Sequence, residues 1–307
     1  MTDYLLGIDI GTTGSKAILM DAAGRVHASA TSEYPFATPR PLWAEQHPAA
    51  WWEATIASVR EAMARAGAAP AQIAGVGLTG QMHGLVLLDQ AGRVLRPCIM
   101  WNDQRTAAQC AAITERVGFE SLLQHTGNPV LPGFTAPKIL WVREHEPDVY
   151  QRVAHVLLPK DYIRYRLTGQ LFSEVSDASG TSLFDVGRRR WSTHMLEALE
   201  IPARWLPALT ESPIASARIS QGAAAETGLP VGAPVVGGAG DQAAQAIGAG
   251  IIQEGLVSVT LGTSGVVFAT SDACRVEPQG RLHAFCHALP DKWHMMGVML
   301  SAAGSFR

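Results

Sequence analysis

A glycine turn between two apolar strands opens the chain, and this feature constrains the fold most. Leu5 to Ile10 and Ser15 to Met20 flank the turn Gly11 to Gly14, in which two threonines separate the glycines. Glycine permits positive φ and a close backbone approach, and the flanking residues favour strands, so the pattern predicts a β-hairpin. The N–H groups and hydroxyls of the turn could bind an oxyanion, and Asp9 could hold a metal or its waters. An ordinary glycine-rich hairpin would show the same pattern.

The pattern recurs near the far end of the chain. An apolar run from Leu256 to Leu261 meets the turn Gly262 to Gly265, and another apolar run follows. Two such hairpins predict a duplicated domain in which each copy offers one phosphate-binding loop. Because few residues follow the second turn, we expect a complete first domain over 1–250 and only the start of a second over 251–307.

Composition excludes several classes of protein. Of the 307 residues, 47% are apolar and 17% charged, which is enough to bury a core. The net charge of −3 gives no support for a nucleic acid or an anionic membrane as partner. No apolar run reaches the roughly 18 residues of a membrane span. The four cysteines form no C-x-x-C pair, which predicts reduced thiols in the cytosol.

Periodicity and turn residues predict the main elements. Between Ile73 and Trp101 the predicted strands follow one another along the sequence with only short connections. This spacing favours a mixed sheet over alternating βα units. Up to about Glu200 the chain is then predicted to be rich in helices. The predicted helices are Pro48 to Ala66 and Asn102 to Arg116; the strands are Ile73 to Thr79, Leu85 to Asp89, Val94 to Trp101, Pro234 to Val236 and Trp293 to Leu300; the loops are Gly127 to Pro137 and Ser173 to Ser182.

Asp241 stands at a glycine turn between a strand and an alanine-rich helix. The segment Gly238 to Ala243 fits the dinucleotide pattern G-x-G-x-x-A, but the carboxylate would repel a pyrophosphate at the helix N-terminus. This disfavours a nicotinamide site. A carboxylate here could instead accept a proton from an alcohol that attacks phosphorus. A plain helix N-cap is the simpler explanation.

His83 lies in a tight Met-His-Gly turn between two apolar strands. A histidine in this position could donate a hydrogen bond to a polyol hydroxyl, and Met82 could pack against the carbon face of the polyol. A partly buried histidine bonded to the backbone would fit the same sequence.

Taken together, these segments resemble the FGGY family of carbohydrate kinases, in its xylulokinase branch. The resemblance covers essentially every residue present. It rests on Gly7 to Gly14, Gly80 to Gly84, Trp101 to Asp103, Pro132 to Lys138, Leu158 to Tyr162, Gly240 to Asp241, Leu261 to Gly265 and Phe285 to Pro290.

The resemblance implies an α/β protein with a ribonuclease H-like (actin-like ATPase) fold that phosphorylates D-xylulose with ATP and Mg²⁺. Asp241 would take the proton of the 5-hydroxyl, and Asp9 would lie near the magnesium, directly or through water. Met82, His83, Asn102 and Asp241 would bind the sugar. The implied phosphate-binding residues are Gly11, Thr12, Thr13, Lys16, Gly262, Thr263 and Ser264.

Members of this family continue well past Arg307, so two hypotheses stay open. In the first, the sequence is the N-terminal part of a kinase that phosphorylates D-xylulose. In the second, it is a sugar-binding remnant without turnover. The cysteines and the net charge predict a cytoplasmic protein without nucleic-acid or membrane partners, and the resemblance admits a homodimer.

Overall fold

The computed structural model describes residues 3–262, 265–299 and 302–303. The first elements in chain order are β1 (Tyr4–Ile10), β2 (Gly14–Asp21), β3 (Val26–Glu33), β4 (Glu45–Gln46), α1 (Pro48–Ala66), β5 (Ile73–Gly80), β6 (Val86–Leu88) and β7 (Cys98–Ile99). Next come α2 (Ala107–Val117), α3 (Phe119–Thr126), α4 (Thr135–His145), α5 (Pro147–Tyr150), β8 (His155–Leu157), α6 (Pro159–Thr168), β9 (Phe172–Glu174), α7 (Val175–Ala178), β10 (Phe184–Asp185), β11 (Arg190–Trp191), α8 (Thr193–Leu199) and β12 (Ala208–Thr210). The last elements are β13 (Ala215–Arg218), α9 (Gln221–Thr227), β14 (Pro234–Val236), β15 (Ala239–Gly240), α10 (Asp241–Gly248), β16 (Val257–Leu261), β17 (Gly265–Ser271), β18 (His283–Cys286) and β19 (Trp293–Met299).

A mixed sheet in the order β13-β14-β5-β1-β2-β3 organises the first part of the chain. The strands β1, β2 and β3 are antiparallel neighbours, whereas β5 runs parallel to β1 and β14 runs parallel to β5. Side chains alternate between the two faces of a strand, so Leu6, Ile8 and Ile10 of β1 are buried together. They pack with Trp51 and Val59 of α1, which closes the core on this face of the sheet.

Two predictions for this region are confirmed. The opening segment forms an antiparallel hairpin, in which Ile10 pairs with Ser15 and Asp9 with Lys16. The helix α1 has the predicted bounds, because Pro48 suits its first turn and Gly67 ends it in the left-handed region at φ 59°.

The predictions between residues 85 and 116 are partly wrong. The expected strand Val94 to Trp101 is reduced to the two residues of β7, since Pro97 lacks the N–H needed for a strand ladder. The strand expected from Leu85 covers only β6. The helix expected from Asn102 begins at Ala107, because the Asp103 carboxylate does not cap it but accepts hydrogen bonds from the backbone of Ala44 and from Arg105.

The two segments predicted as loops also contain regular structure. The helix α4 begins inside the first segment, at Thr135. The second segment contains β9 and α7, and Glu174 caps α7 by accepting hydrogen bonds from Ser176 N and Asp177 N. A single turn of helix is too short to give a detectable periodic pattern.

A second sheet, with order β16-β17-β19-β18, contains antiparallel strands only. The repeated hairpin is confirmed by the pairing of Leu261 with Gly265, although Thr263 and Ser264 of its turn lie outside the described residues. The last predicted strand is confirmed over Trp293–Met299, and Leu300 also lies outside the described residues. The boundary at residue 250 stays a prediction.

Aromatic rings connect the second sheet to the turn that carries His83. His83 stacks on Phe134 with ring centroids 4.7 Å apart, and Phe134 lies 5.6 Å from His283 of β18. Farther along the sheet His294 stacks on Phe268 at 4.1 Å. No helix in residues 3–262, 265–299 and 302–303 combines the length and apolarity needed to cross a membrane.

These buried imidazoles are expected to make the protein sensitive to acid. Burial lowers the pKa of His83 to about 3 and that of His283 to about 4, and it lowers the pKa of His294 as well. Below the ordinary histidine pKa of about 6.5, the unfolded chain therefore binds more protons than the folded one. The free energy of unfolding should fall as the pH decreases from about 6.5 toward 4, which urea titrations at several pH values would measure.

His294→Phe is a matched variant for this measurement. The His294 side chain is fully buried, and a phenyl ring keeps the stacking on Phe268. Because the phenyl ring cannot bind a proton, the variant should lose less stability than the parent on acidification. An unchanged pH dependence in His294→Phe would show that this imidazole is not a source of the acid sensitivity.

Candidate active site

A cleft of about 170 Å³ lies between the strand ends of the first sheet and the face of the second. Among the predicted site residues, the fold brings together Thr12, Met82, His83 and Asp241 around it. The second sheet contributes the apolar side chains of Val266, Met296 and Val298. The cleft thus has one polar wall with titratable groups and one apolar wall.

Buried polar side chains hold the turn Gly11 to Gly14 at the edge of this cleft. The Gly11 carbonyl accepts hydrogen bonds from Tyr34 OH at 2.7 Å and from Gln81 Nε2 at 3.3 Å. The Thr12 carbonyl accepts from Gln46 Nε2 at 2.7 Å, and Gln46 Oε1 in turn accepts from Gln81 Nε2 at 3.0 Å. Because these donors occupy the two carbonyls, the carbonyls do not face an anion that approaches the turn.

Sequence reasoning missed this support. Tyr34 directly precedes, and Gln46 lies within, the proline-rich segment 35–48, whose sequence predicts irregular structure. Their contacts with the turn are made across more than twenty residues. Trp101 was also missed, and its Nε1 donates to Thr12 Oγ1 at 3.1 Å. Since Thr12 Oγ1 accepts this bond, its own proton is free to point at a ligand.

His83 has the left-handed backbone conformation, with φ 68°, in the turn after β5. Its Nδ1 lies 2.8 Å from the carbonyl oxygen of Gly180. A carbonyl only accepts, so Nδ1 carries the proton, and the low pKa keeps the ring neutral. Nε2 is then a hydrogen-bond acceptor, which is the reverse of the donor role expected from the sequence.

The first residues of α4 and the segment before it support the His83 turn. Lys138 Nζ donates to the carbonyls of His83 at 2.9 Å and Gly133 at 2.7 Å, and Thr135 Oγ1 donates to His83 O at 3.1 Å. Phe134 covers one face of the imidazole. Burial lowers the pKa of Lys138 to about 7. The segment Pro132 to Lys138, noted in the sequence for its resemblance alone, therefore positions the imidazole.

Asp241 is the first residue of α10 and lines the cleft, while Gly240 occupies the N-cap position. The plain N-cap interpretation of Asp241 is therefore wrong, although its Oδ1 accepts a hydrogen bond from Gln242 N at 2.8 Å. Burial first, and the nearby charge of Asp9 second, raise the pKa of Asp241 to about 7. A carboxyl group with a pKa near neutrality is suited to general base catalysis.

Asp9 lies at the side of a second, largely apolar cavity of about 370 Å³ on the open face of the first sheet. Burial raises the pKa of Asp9, and Lys16 on the paired strand opposes this shift. Asp9 Oδ1 and Thr79 Oγ1, both at this cavity, are buried and have no hydrogen-bond partner among the residues that the structure describes. Such oxygens fit a hard cation such as Mg²⁺.

The remaining predicted residues lie elsewhere or outside the description. Lys16 and Thr13 are exposed, and Asn102 is half-buried without lining the cleft, where Trp101 lies instead. Gly262 is exposed at the end of β16, and Thr263 and Ser264 are not described. Within the described ranges, no group of three or more His, Cys, Asp or Glu residues could hold a metal ion by itself.

In comparisons with known proteins, the chain is similar in sequence and in structure to proteins named as xylulose kinases. The chain is 45% identical over 300 residues to the xylulose kinase of Escherichia coli, with 97% of this chain and 60% of that one covered. It matches the crystal structure of a xyloylose kinase from Brucella ovis with a TM-score of 0.91 and 46% identity, covering 98% of this chain and 61% of that one. The xylulose kinase structure from Rhodospirillum rubrum matches with a TM-score of 0.94 and 32% identity, with 98% and 62% covered.

These structural matches confirm the predicted α/β, actin-like fold class. The chain spans about 60% of the length of the relatives it matches. Residues 4–248 match the N-terminal domain of the FGGY family of carbohydrate kinases. The chain therefore belongs to the FGGY family of carbohydrate kinases.

Proposed function

We propose that this chain provides the sugar-binding cleft and the catalytic base of a kinase that transfers the γ-phosphoryl group of ATP to D-xylulose. The observation that carries the proposal is Asp241, a carboxyl group with a pKa near 7 at the cleft lined by Met82 and His83. The choice of D-xylulose is supported by the names of relatives at 45% and 46% identity, each a xylulose kinase.

In the proposed reaction the Asp241 carboxylate accepts the proton of the sugar 5-hydroxyl. The resulting oxygen nucleophile attacks the γ-phosphorus, the bond between that phosphorus and the β,γ-bridging oxygen breaks, and ADP leaves with the bond's electron pair. The products are ADP and D-xylulose 5-phosphate, and the transferred proton stays on Asp241 until solvent removes it. Phosphoryl transfer needs positioning and charge stabilisation more than covalent help from the protein.

The residues around Asp241 orient the two substrates. His83 Nε2 accepts a hydrogen bond from a sugar hydroxyl, and Met82 packs against the carbon chain. The Thr12 hydroxyl and the N–H groups of Thr12 and Thr13 donate to phosphate oxygens, whereas the Gly11 N–H stays bonded to the Gly14 carbonyl at 3.0 Å. Mg²⁺, when bound through Asp9 and Thr79, would neutralise phosphate charge during transfer.

The decisive experiment is a coupled assay of ADP release with D-xylulose and Mg-ATP. It should be run on this chain and on a form continued to the length of its relatives, with binding of D-xylulose measured by calorimetry. ADP release that depends on D-xylulose supports the kinase. Binding of D-xylulose without ADP release from either form would favour the sugar-binding remnant instead. Absence of both binding and release would overturn the proposal.

Gly180→Ala should weaken the binding of D-xylulose to this chain. A Cβ atom at Gly180 would lie 2.3 Å from both Nδ1 and Cε1 of His83, so the imidazole must leave its position and lose the Gly180 bond. We expect the affinity for D-xylulose to fall by about 10-fold or more, as a misplaced polar contact of this kind costs at least 1.4 kcal/mol.

Gly222→Ala is the matched control, because a Cβ there meets no atom within 4 Å. Calorimetry with D-xylulose on the two variants measures the difference. Equal affinities in Gly180→Ala and Gly222→Ala would remove His83 from the binding site.

The same proposal includes a cytoplasmic location, a division into domains near residue 250 and a homodimer. Supporting observations are the four free cysteines and the change of sheet between α10 and β16. The mass of the protein in solution, measured by light scattering, tests the dimer.

A further inference from the structure

A fully buried carboxylate, Glu174, lies behind the cleft at the start of α7. Its two oxygens accept four hydrogen bonds of 2.8–2.9 Å, from Ser176 N, Asp177 N, Ser176 Oγ and Ser212 Oγ. The two backbone N–H groups can only donate, and both serine hydroxyls donate to the carboxylate as well. Lys160 Nζ, also fully buried, lies 2.5 Å from Asp161 Oδ1, 3.6 Å from Asp177 Oδ2 and 3.8 Å from Glu174 Oε1, so these three carboxyl groups share its positive charge.

Ser176 connects this carboxylate to the backbone next to Asp241. The single hydroxyl proton of Ser176 is donated to Glu174 Oε1 at 2.9 Å. Its oxygen can therefore only accept from other groups, and it accepts the N–H of Gly240 at 3.1 Å. Gly240 directly precedes Asp241, so a chain of two hydrogen bonds runs from Glu174 to the residue before the proposed base.

Other contacts also restrict the backbone at Gly240, where β15 ends and α10 begins. On one side β15 pairs with β5, so that Gly240 lies opposite Gly80. On another side the backbone of Gly240 is so close to Met82 that an added Cβ would meet its Sδ at 3.0 Å. Ser176 supplies the contact from the α7 side, and no side chain caps α10. Removing the Ser176 hydroxyl would leave the buried N–H of Gly240 without this acceptor at the point where α10 begins.

We propose that Glu174 and Ser176 position Asp241 for proton transfer, by fixing the Gly240 N–H at the start of α10. This inference rests on the proposed function, since it requires Asp241 as the base. Ser176 and Glu174 are positioning residues because neither lines the cleft. Their effect is expected on the chemical step and not on sugar binding, which depends on Met82 and His83.

Ser176→Ala tests the proposal in the form that turns over D-xylulose. We expect kcat to fall by about 10- to 100-fold, since displacement of a reacting group by about 1 Å can cost about 10²-fold. The KM for D-xylulose should change by less than about threefold, because the sugar contacts are not altered. If Ser176→Ala does not fold, Ser176→Cys, whose thiol is a weak acceptor, should show a smaller decrease in the same direction.

Two buried serines without a contact to Glu174 provide matched controls. Ser179 Oγ accepts the backbone N–H of Cys286 at 3.0 Å, in the same segment but away from Gly240. Ser58 Oγ, within α1, donates to the carbonyl of Thr55 at 3.2 Å. Each of Ser179→Ala and Ser58→Ala should keep kcat within about threefold of the parent while losing thermal stability comparable to that lost by Ser176→Ala. A decrease in kcat that only follows the loss of stability across the three variants would overturn the proposal.

Hydrogen exchange of the Gly240 amide gives a readout that is independent of turnover. In the chain as it exists, this amide should be protected in the parent and in Ser179→Ala, and should exchange faster in Ser176→Ala. Unchanged protection in Ser176→Ala would overturn the positioning role even if the kinase activity is established. Lost protection together with absent turnover in every form would instead refute the proposed function and leave the hydrogen-bonded link intact.

Discussion

Asp241→Asn is expected to lower kcat for D-xylulose phosphorylation by about 10²- to 10⁴-fold, the usual contribution of a positioned base. The amide has nearly the shape of the carboxyl group, and its oxygen can still accept the Gln242 N–H that Asp241 Oδ1 accepts at 2.8 Å. It cannot take a proton from the sugar hydroxyl. Sugar binding should therefore persist, and calorimetry with D-xylulose should give an affinity within a few-fold of the parent.

The matched control is Asp148→Asn, an equivalent change in the first turn of α5, away from the cleft. It should leave both kcat and affinity unchanged. Turnover near the parent level in Asp241→Asn would remove Asp241 from the role of base, whatever the outcome for sugar binding.

The pH dependence of kcat/KM is a second test of the role of Asp241. The pKa of Asp241 is raised to about 7, and only the deprotonated carboxylate can accept the proton, so kcat/KM of the parent should rise with pH through about 7 and then level. In Asp241→Asn the residual activity should lack this rise.

Asp9→Asn is expected to produce the other large effect. The charge of Asp9 contributes to the raised pKa of Asp241, so its removal should shift the rise in kcat/KM to lower pH. The same change removes a carboxylate oxygen proposed to bind Mg²⁺, so kcat should fall by about 10²-fold or more and require more Mg²⁺ to saturate.

These two consequences of Asp9→Asn can be separated by measuring pH profiles at saturating and limiting Mg²⁺. Asp148→Asn again serves as the matched control, because it makes the same chemical change outside both cavities and should leave the pH midpoint and the Mg²⁺ requirement unchanged. A pH midpoint that stays at the parent value in Asp9→Asn would show that the two carboxylates are not coupled.

The parts of the fold that could be predicted from sequence are those determined by local patterns. Alternating apolar residues around Gly11 to Gly14 determine the hairpin, and Pro48 with Gly67 determines α1 to the residue. The position of Asp241 between a strand and a helix was also readable, since Gly238 to Gly240 interrupts both patterns. The glycine turn alone admits Asp241 either as a base or as a helix N-cap, and the family resemblance favours the base.

The parts that could not be predicted depend on contacts between distant segments. Gln46 reaches the Thr12 carbonyl across 34 residues, and Ser176 reaches Gly240 across 64. The proton position on His83 follows from a carbonyl 97 residues away, which reversed the expected direction of its hydrogen bond. No spacing rule relates such pairs, because the sheet topology alone brings them together.

The amide groups that hold the Gly11 to Gly14 turn have a consequence for interpreting kinetics. Gln46 and Gln81 carry no titratable group, and burial raises the pKa of Tyr34, so the hydrogen bonds to the Gly11 and Thr12 carbonyls keep their protons across the ordinary assay range. The turn proposed to face ATP should thus hold its shape while Asp241 changes charge. The pH dependence of the rate would then reflect proton transfer to Asp241 alone, without a contribution from a rearrangement of the Gly11 to Gly14 turn.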